Sequence, residues 1–110
     1  MRYSKYGNKK VEIDGIKFDS RKEANRYAEL KLLERCGDIT ELELQPRFLL
    51  QDKFKHNGKT IRKIEYVADF MYVRAGTIYV EDVKGMKTDV YSLKKKLFLK
   101  KYSEYIFKEI

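Results

Sequence analysis

Two segments rich in β-branched and aromatic residues, 66–73 and 77–84, are separated by only three residues, Arg74-Ala75-Gly76. Such a pair predicts two antiparallel strands joined by a tight turn. If the chain turns through Ala75-Gly76, Asp69 lies directly opposite Asp82. A three-residue loop would instead set Asp69 against Glu81, so either register brings two acids together.

The apolar residues favour the two-residue turn. This turn places five apolar residues on one face of the hairpin, as a sheet covered by helices requires. They are Val67, Met71, Val73, Ile78 and Val80. Side chains directly opposed across antiparallel strands lie about 4.5–5.5 Å apart at Cβ. Two carboxylates at that spacing repel each other unless a cation lies between them, and a divalent metal is a natural candidate.

The chain has 110 residues, which predicts a single domain over 11–110, preceded by a flexible basic arm at 1–10. It contains no 18-residue apolar run and no signal-peptide pattern, so we expect no membrane contact and a cytoplasmic protein, in a bacterium or a phage-infected host cell. The single cysteine, Cys36, is expected to pack as a small buried residue in a reducing compartment.

A formal charge of +8 from 25 lysines and arginines predicts attraction to polyanions, of which nucleic acid is the commonest. Nine tyrosines and six phenylalanines add rings on which bases can stack. The alternative is a basic surface that only keeps the protein in solution.

The remaining elements follow from local signals. Residues 11–18 predict a hairpin around Asp14-Gly15, and Asp19 or Ser20 caps a helix from about 21 to 36. Glu23 lies in one row with apolar positions of that helix, so it projects toward the interior or, alternatively, completes a capping box with Ser20. The segment 39–45 is ambiguous.

Downstream, a strand at 47–51 and an Asn57-Gly58 turn lead into one long strand from Ile61 to Val73. Thr88 or Asp89 caps a second helix that ends near Lys101, with Val90, Leu93 and Leu97 as its apolar row. A closing strand at 105–110 then returns parallel to its partner, because a strand-helix-strand crossover is right-handed.

This order of elements resembles the PD-(D/E)XK nuclease superfamily, whose core runs helix, antiparallel three-stranded meander, helix and parallel strand. The resemblance implies an α/β (α+β) fold with a restriction-endonuclease-like mixed sheet flanked by two helices. Within the superfamily the chain looks most like small Holliday-junction-resolvase-like and phage endonucleases. Its start and the segment Glu81-Asp82-Val83-Lys84-Gly85 are also similar to a phage-encoded family of uncharacterised small proteins.

Carried over by position, the resemblance makes Asp69 and Asp82 the two motif acids and Lys84 the motif lysine. It also implies Glu23 as a helix carboxylate and the main-chain carbonyl of Val83 as a metal ligand. The chain departs from the pattern at Ala68, where the name of the superfamily has proline, and by carrying aspartate at the second acid where glutamate is common.

The chemistry agrees with this assignment. Phosphodiester hydrolysis needs an activated water and stabilisation of charge on the phosphate, and Mg²⁺ held by carboxylates supplies both, with Mn²⁺ able to substitute. The alternation of a strand puts Asp82 and Lys84 on one face, where the lysine can stabilise developing charge, and turns Glu81 to the other.

The sequence therefore predicts a Mg²⁺-dependent DNA endonuclease. By resemblance it acts on branched DNA and as a homodimer. The predicted DNA-binding residues are the lysines in and before the second helix: Lys87, Lys94, Lys95, Lys96, Lys100 and Lys101. The rival hypotheses are a non-catalytic DNA-binding protein on the same fold and a basic adaptor that binds an acidic protein.

Overall fold

The computed structural model describes residues 10–83 and 87–110. Lys84 and all of the predicted basic arm except Lys10 lie outside these ranges. The elements, in chain order, are β1 (Val11–Ile13), β2 (Ile16–Phe18), α1 (Arg21–Arg35), β3 (Thr40–Leu44), β4 (Arg47–Gln51), β5 (Phe54–His56), β6 (Lys59–Ile61), β7 (Ile64–Val67), β8 (Phe70–Arg74), β9 (Thr77–Asp82), α2 (Asp89–Lys101) and β10 (Ile106–Glu109).

Four of the strands form a mixed sheet in the order β10-β9-β8-β3. Strand β8 pairs antiparallel with both β3 and β9, whereas β10 runs parallel to β9. Helix α1 packs on one face of the sheet and α2 on the other. Alternate residues of β8 and β9 accordingly belong to two separate apolar clusters, one under each helix. The predicted α+β fold with a mixed sheet and two helices is confirmed.

The β8–β9 hairpin has the predicted two-residue turn. Ala75 and Gly76 both adopt positive φ angles, 51° and 79°, as a tight hairpin turn with the right twist requires. Met71 pairs with Val80 and Val73 with Ile78, so the register that opposes Asp69 to Asp82 is the one observed.

The predicted continuous strand from Ile61 to Val73 is wrong, because the chain is divided into β6, β7 and β8. The break before β8 lies opposite Gln45-Pro46. Pro46 has no N–H to donate, and Gln45 has a φ of 51°. Two hydrogen bonds bridge the gap: Gln45 N donates to Asp69 O at 2.9 Å and Ala68 N to Pro46 O at 3.1 Å. Asp69 therefore lies at a bend between two strands.

Helix α1 begins as predicted. The Ser20 side chain accepts a hydrogen bond from the Glu23 backbone N–H at 3.1 Å. Its buried residues, Ala24, Tyr27 and Leu30, pack against the face of the sheet that carries Phe70 and Tyr72. The expectation that Cys36 is buried is wrong: it is the exposed C-cap residue, beyond the last turn that contacts the sheet.

Helix α2 packs through a different face from the one expected. Thr88 caps it, but its buried residues are Tyr91 and Phe98, two turns apart. Val90, Leu93 and Leu97 are instead 62%, 60% and 43% exposed. The two rings enter an aromatic cluster with Phe48, Tyr66, Tyr102, Tyr105 and Phe107. Large rings bury more apolar area than aliphatic side chains, and this decides which face turns inward.

We expect Phe98→Ala to lower the free energy of unfolding by about 3–5 kcal/mol, because it empties a fully buried ring site. Leu93→Ala, on the exposed face of the same helix, should change the free energy of unfolding of the monomer by less than about 0.5 kcal/mol. Urea denaturation of both variants measures the difference. Equal losses would mean that α2 packs through the aliphatic row.

Candidate functional site

The candidate site lies where the β8–β9 pair ends. The Asp69 backbone N–H donates to the Glu81 carbonyl at 3.1 Å, which continues the ladder by one residue beyond β8. The Asp69 side chain turns toward the end of β9, where its Oδ2 accepts a hydrogen bond from Val83 N at 2.7 Å. The carboxylate is thus fixed beside the residue that follows Asp82.

Asp82 is fully buried at the last position of β9. Its Oδ2 accepts a hydrogen bond from the hydroxyl of Tyr66, which is itself held in the aromatic cluster under α2. A buried carboxylate is costly unless it is hydrogen-bonded or paired with a cation. The Tyr66 contact accounts for one oxygen and fixes the direction in which the carboxylate faces.

The two acids interact electrostatically. Burial, together with the negative charges of Asp82 and Glu23, raises the pKa of Asp69 to about 8, although the hydrogen bond from Val83 acts in the opposite direction. Charge repulsion of this kind requires that the three carboxylates be near one another. The sequence-predicted acids Glu23, Asp69 and Asp82 are therefore brought to one region.

Glu23 approaches from the first turn of α1 and is half-buried. It lines the same cavity of about 190 Å³ as Asp69. Ile16, Phe18 and Leu44 form the apolar wall of this cavity, and Lys17 and Gln45 add polar groups. Both interpretations of Glu23 hold in part. Its backbone N–H donates to the Ser20 side chain, which is one half of a capping box, and its side chain borders the cavity that Asp69 also lines.

The donor set suits a hard divalent cation. Mg²⁺ binds oxygen ligands, keeps several waters, and is commonly held by one or two carboxylates together with substrate phosphates. Asp69 and Asp82 provide two carboxylates, with the backbone of Val83 adjacent. A bound cation would offset the burial and the repulsion that together raise the pKa of Asp69. Across residues 10–83 and 87–110, no three His, Cys, Asp or Glu side chains form a preassembled metal-ligand group. Lys84, predicted as the catalytic lysine and not as a metal ligand, lies outside these ranges.

A buried ion pair on the other face of β9 was not predicted from the sequence. Glu81 is completely buried, and its two oxygens accept hydrogen bonds from Arg26 Nε at 2.7 Å and Arg26 Nη2 at 2.6 Å. The Tyr72 hydroxyl donates to the same carboxylate. The pKa values of Arg26 and Tyr72 are both raised, the first mainly by its hydrogen bond with Glu81 and the second mainly by burial. An acid within an apolar strand signals such a partner, because it cannot be buried alone.

A second acid missed by the sequence reasoning is Glu109, which lies next to Asp82 in the register of β10 and β9. It accepts a hydrogen bond from the Tyr91 hydroxyl and forms ion pairs with Lys87 at 2.9 Å and Lys95 at 3.4 Å. These donors lower the pKa of Glu109 to about 2, the Tyr91 hydrogen bond most strongly. It is therefore ionised and neutralises part of the basic surface beside the site.

The six predicted DNA-binding lysines divide into two groups. Lys94 and Lys95 are half-buried along the flank of α2, and Lys87 and Lys95 lie close to Asp82 through Glu109. The others, Lys96, Lys100 and Lys101, are exposed. Within the described residues, observed contacts tie Lys87 and Lys95 to the acid site through Glu109.

Residues 3–109 match the family model described as "Protein of unknown function (DUF1064)". The chain belongs to the DUF1064 family. No curated protein and no solved structure matches it. Within the described residues of this DUF1064 protein, no helix has the length and apolar character needed to cross a membrane.

The position of Asp69 predicts a pH dependence for the metal-free DUF1064 protein. Its pKa is raised in the folded state from 3.8 to about 8, so over that interval the folded chain keeps a proton that the unfolded chain has released. The contribution of Asp69 to stability should therefore fall as the pH rises from about 4 to 8. Asp69→Asn removes this pH-dependent contribution to the free energy of unfolding.

Chemical denaturation at pH 5, 6, 7 and 8 in EDTA provides the measurement. The stability of Asp69→Asn relative to the unchanged protein should increase steadily with pH, and Asp38→Asn, at an exposed position, is the matched control for the loss of one acidic side chain. A constant difference for Asp69→Asn would mean that this carboxyl titrates normally.

Proposed function

We propose that this protein is a metal-dependent DNA endonuclease that hydrolyses phosphodiester bonds. The observation that carries the proposal is the placement of the Asp69 and Asp82 carboxylates side by side at the end of the β8–β9 pair, with Glu23 close enough to act on the pKa of Asp69. Buried acids that repel one another are costly to fold, and they occur typically where a cation or a reaction uses them.

In this proposal Asp69 and Asp82 hold Mg²⁺, or Mn²⁺ in its place, and Glu23 contributes from α1. The ion supplies a water of lowered pKa and neutralises charge on the phosphate. Tyr66 orients the Asp82 carboxylate through its hydroxyl, and Val83 N–H orients that of Asp69. Lys84 and the Val83 carbonyl take their roles from the nuclease resemblance.

The proposed substrate is DNA, in branched or otherwise structured form, in the cytoplasm of a bacterium or of a phage-infected cell. Support for DNA comes from the net charge of +8 and from the link between the acid site and Lys87 and Lys95. The preference for branched DNA follows from the resemblance to small resolvase-like and phage endonucleases.

The activity is tested by incubating the protein with four-way-junction, flap, duplex and single-stranded DNA in Mg²⁺, Mn²⁺ or EDTA. We expect cleavage only with metal. Asp69→Asn and Asp82→Asn should each reduce it by at least about 100-fold, since each removes a charged ligand. Both variants should still bind DNA, and the exposed Asp38→Asn serves as the matched control, with cleavage unchanged.

Metal-independent cutting, or full activity in Asp69→Asn, would contradict the proposal. If DNA is bound and not cut under any condition, the non-catalytic DNA-binding alternative replaces it. If an acidic peptide displaces the DNA equally well, the basic-adaptor alternative gains support.

The DNA path is tested through salt dependence. Each phosphate contact adds about 0.9 to the slope of log affinity against log salt. Replacing Lys87, Lys94 and Lys95 by Ala should therefore flatten the slope measurably in fluorescence anisotropy titrations. Replacing Lys53, which precedes β5, and Lys55 and Lys59 in the exposed β5–β6 hairpin by Ala removes the same charge and should leave the slope nearly unchanged. Equal slopes in the two triple variants would place the DNA elsewhere.

The proposal includes a homodimer, because two sites are needed to cut two strands. The exposed row Val90, Leu93 and Leu97 on the outer side of α2 supports it, since contiguous exposed aliphatic residues commonly mark an interface. In an antiparallel pairing of two α2 helices, Asp89 of one copy would lie near the lysines at the far end of the other.

Sedimentation velocity should reveal a concentration-dependent dimer that strengthens as salt is added, because salt screens the repulsion between two basic copies. Leu93→Asp should shift it to monomer. Leu32→Asp, at an equally exposed position on α1, should not. A monomer at all concentrations would remove the dimer from the proposal and leave the nuclease activity untouched.

A further inference from the structure

The strongest polar contact between α1 and β9 is the fork between Arg26 and Glu81. Two parallel N–H···O bonds of 2.7 and 2.6 Å join the guanidinium to the carboxylate, and the Tyr72 hydroxyl binds the same carboxylate from β8. Glu81 is fully buried, and Arg26 is also held by Glu29 on its own helix at 2.9 Å. A bidentate pair of this kind fixes direction as well as distance.

Both ends of the fork adjoin the candidate site. Arg26 lies three residues, or about one helical turn, after Glu23 on α1. Glu81 immediately precedes Asp82 on β9 and points to the opposite face, as alternation along a strand requires. The fork therefore links the helix that carries Glu23 to the strand that carries Asp82, at the level of the acids.

The other contacts of α1 are mainly apolar, and two further hydrogen bonds, from Tyr27 Oη to Asp14 at 2.9 Å and from Leu42 N to Glu34 Oε2 at 3.3 Å, involve residues that follow Arg26 along the helix. Ala24, Tyr27 and Leu30 pack against apolar side chains of the sheet and of the β1–β2 hairpin. Apolar packing is non-directional and holds a helix on a surface without fixing its rotation or sliding to a fraction of an ångström. Metal ligands need tighter placement, which in other metal sites is provided by hydrogen-bonded groups behind the ligands.

We propose that Arg26 and Glu81 are positioning residues: the fork sets the distance from Glu23 to Asp69 and Asp82 and thereby the affinity of the site for a divalent cation. This inference rests on the proposed function, because it assigns a role toward the metal of that site. It also gives a reason for a charged pair at this position, since replacing a buried ion pair with hydrophobic residues is often neutral or stabilising in other proteins.

The test is a double-mutant cycle on Mn²⁺ affinity, measured with the metal alone by electron paramagnetic resonance of the free ion. The apolar variant replaces the whole cluster: Arg26→Met, Glu81→Leu and Tyr72→Phe. Its fold is checked by circular dichroism and thermal melting. We expect it to bind Mn²⁺ about 10-fold more weakly, as does Glu23→Gln, which is the range known for groups that orient metal ligands.

The combination of the apolar variant with Glu23→Gln decides the mechanism. If the fork acts through Glu23, the combined variant binds no more weakly than Glu23→Gln alone. Additive losses would overturn the proposal, and so would unchanged affinity in the apolar variant. Lys31→Met removes an ion pair with Glu34 elsewhere on α1 and is the control with unchanged affinity.

Arg26→Lys is the variant to use if the apolar variant does not fold, because lysine retains the charge and loses the fork. An unchanged Mn²⁺ affinity in Arg26→Lys would then overturn the proposal.

Two results separate this inference from the proposed function. If the unaltered protein binds no Mn²⁺, the metal site itself fails. If it binds Mn²⁺ and only Glu23→Gln weakens it, the site stands and the positioning role fails.

Discussion

The arrangement on which the rest of the structure depends is the confinement of Asp69 and Asp82 to one end of the central hairpin. In the metal-free protein, burial and mutual repulsion raise the pKa of Asp69, so the folded chain carries an unfavourable electrostatic term at neutral pH. The surrounding elements offset it. Hydrogen bonds from Val83 N and the Tyr66 hydroxyl direct the carboxylates, and two apolar clusters hold the sheet between its helices.

Successive residues of β9 show how one strand serves both stability and chemistry. Glu81 faces α1 and is neutralised by Arg26, and removing one partner of such a buried pair typically costs about 3–5 kcal/mol. Asp82 faces α2 and meets a tyrosine hydroxyl, which donates a hydrogen bond and brings no positive charge. The acid paired with Arg26 is therefore held inside the fold, whereas Asp82 lies at the end of the strand beside Asp69, where we propose that a metal ion binds.

Much of this followed from the sequence, because it depends on local rules. The turn at Ala75-Gly76 fixed the register of β8 and β9, and alternation then assigned Asp82 and Glu81 to opposite faces. The rest required tertiary information. The predicted long strand is interrupted opposite Pro46, a residue on a neighbouring segment of the chain. In α2 the rings of Tyr91 and Phe98 are buried, and the aliphatic row is exposed. Arg26 lies 55 residues from Glu81, and Glu109 lies 18 residues from Tyr91, so neither partner is visible in the local sequence pattern.

Coordination of a divalent cation by these acids would be visible in a crystal structure of the protein soaked in Mn²⁺, with diffraction data collected at the manganese absorption edge. We expect an anomalous peak between the carboxylates of Asp69 and Asp82, within about 2.0–2.3 Å of an oxygen of each, and no such peak in crystals of Asp69→Asn. Fully ordered side chains without a peak at this position would contradict the metal site, and with it the proposed nuclease.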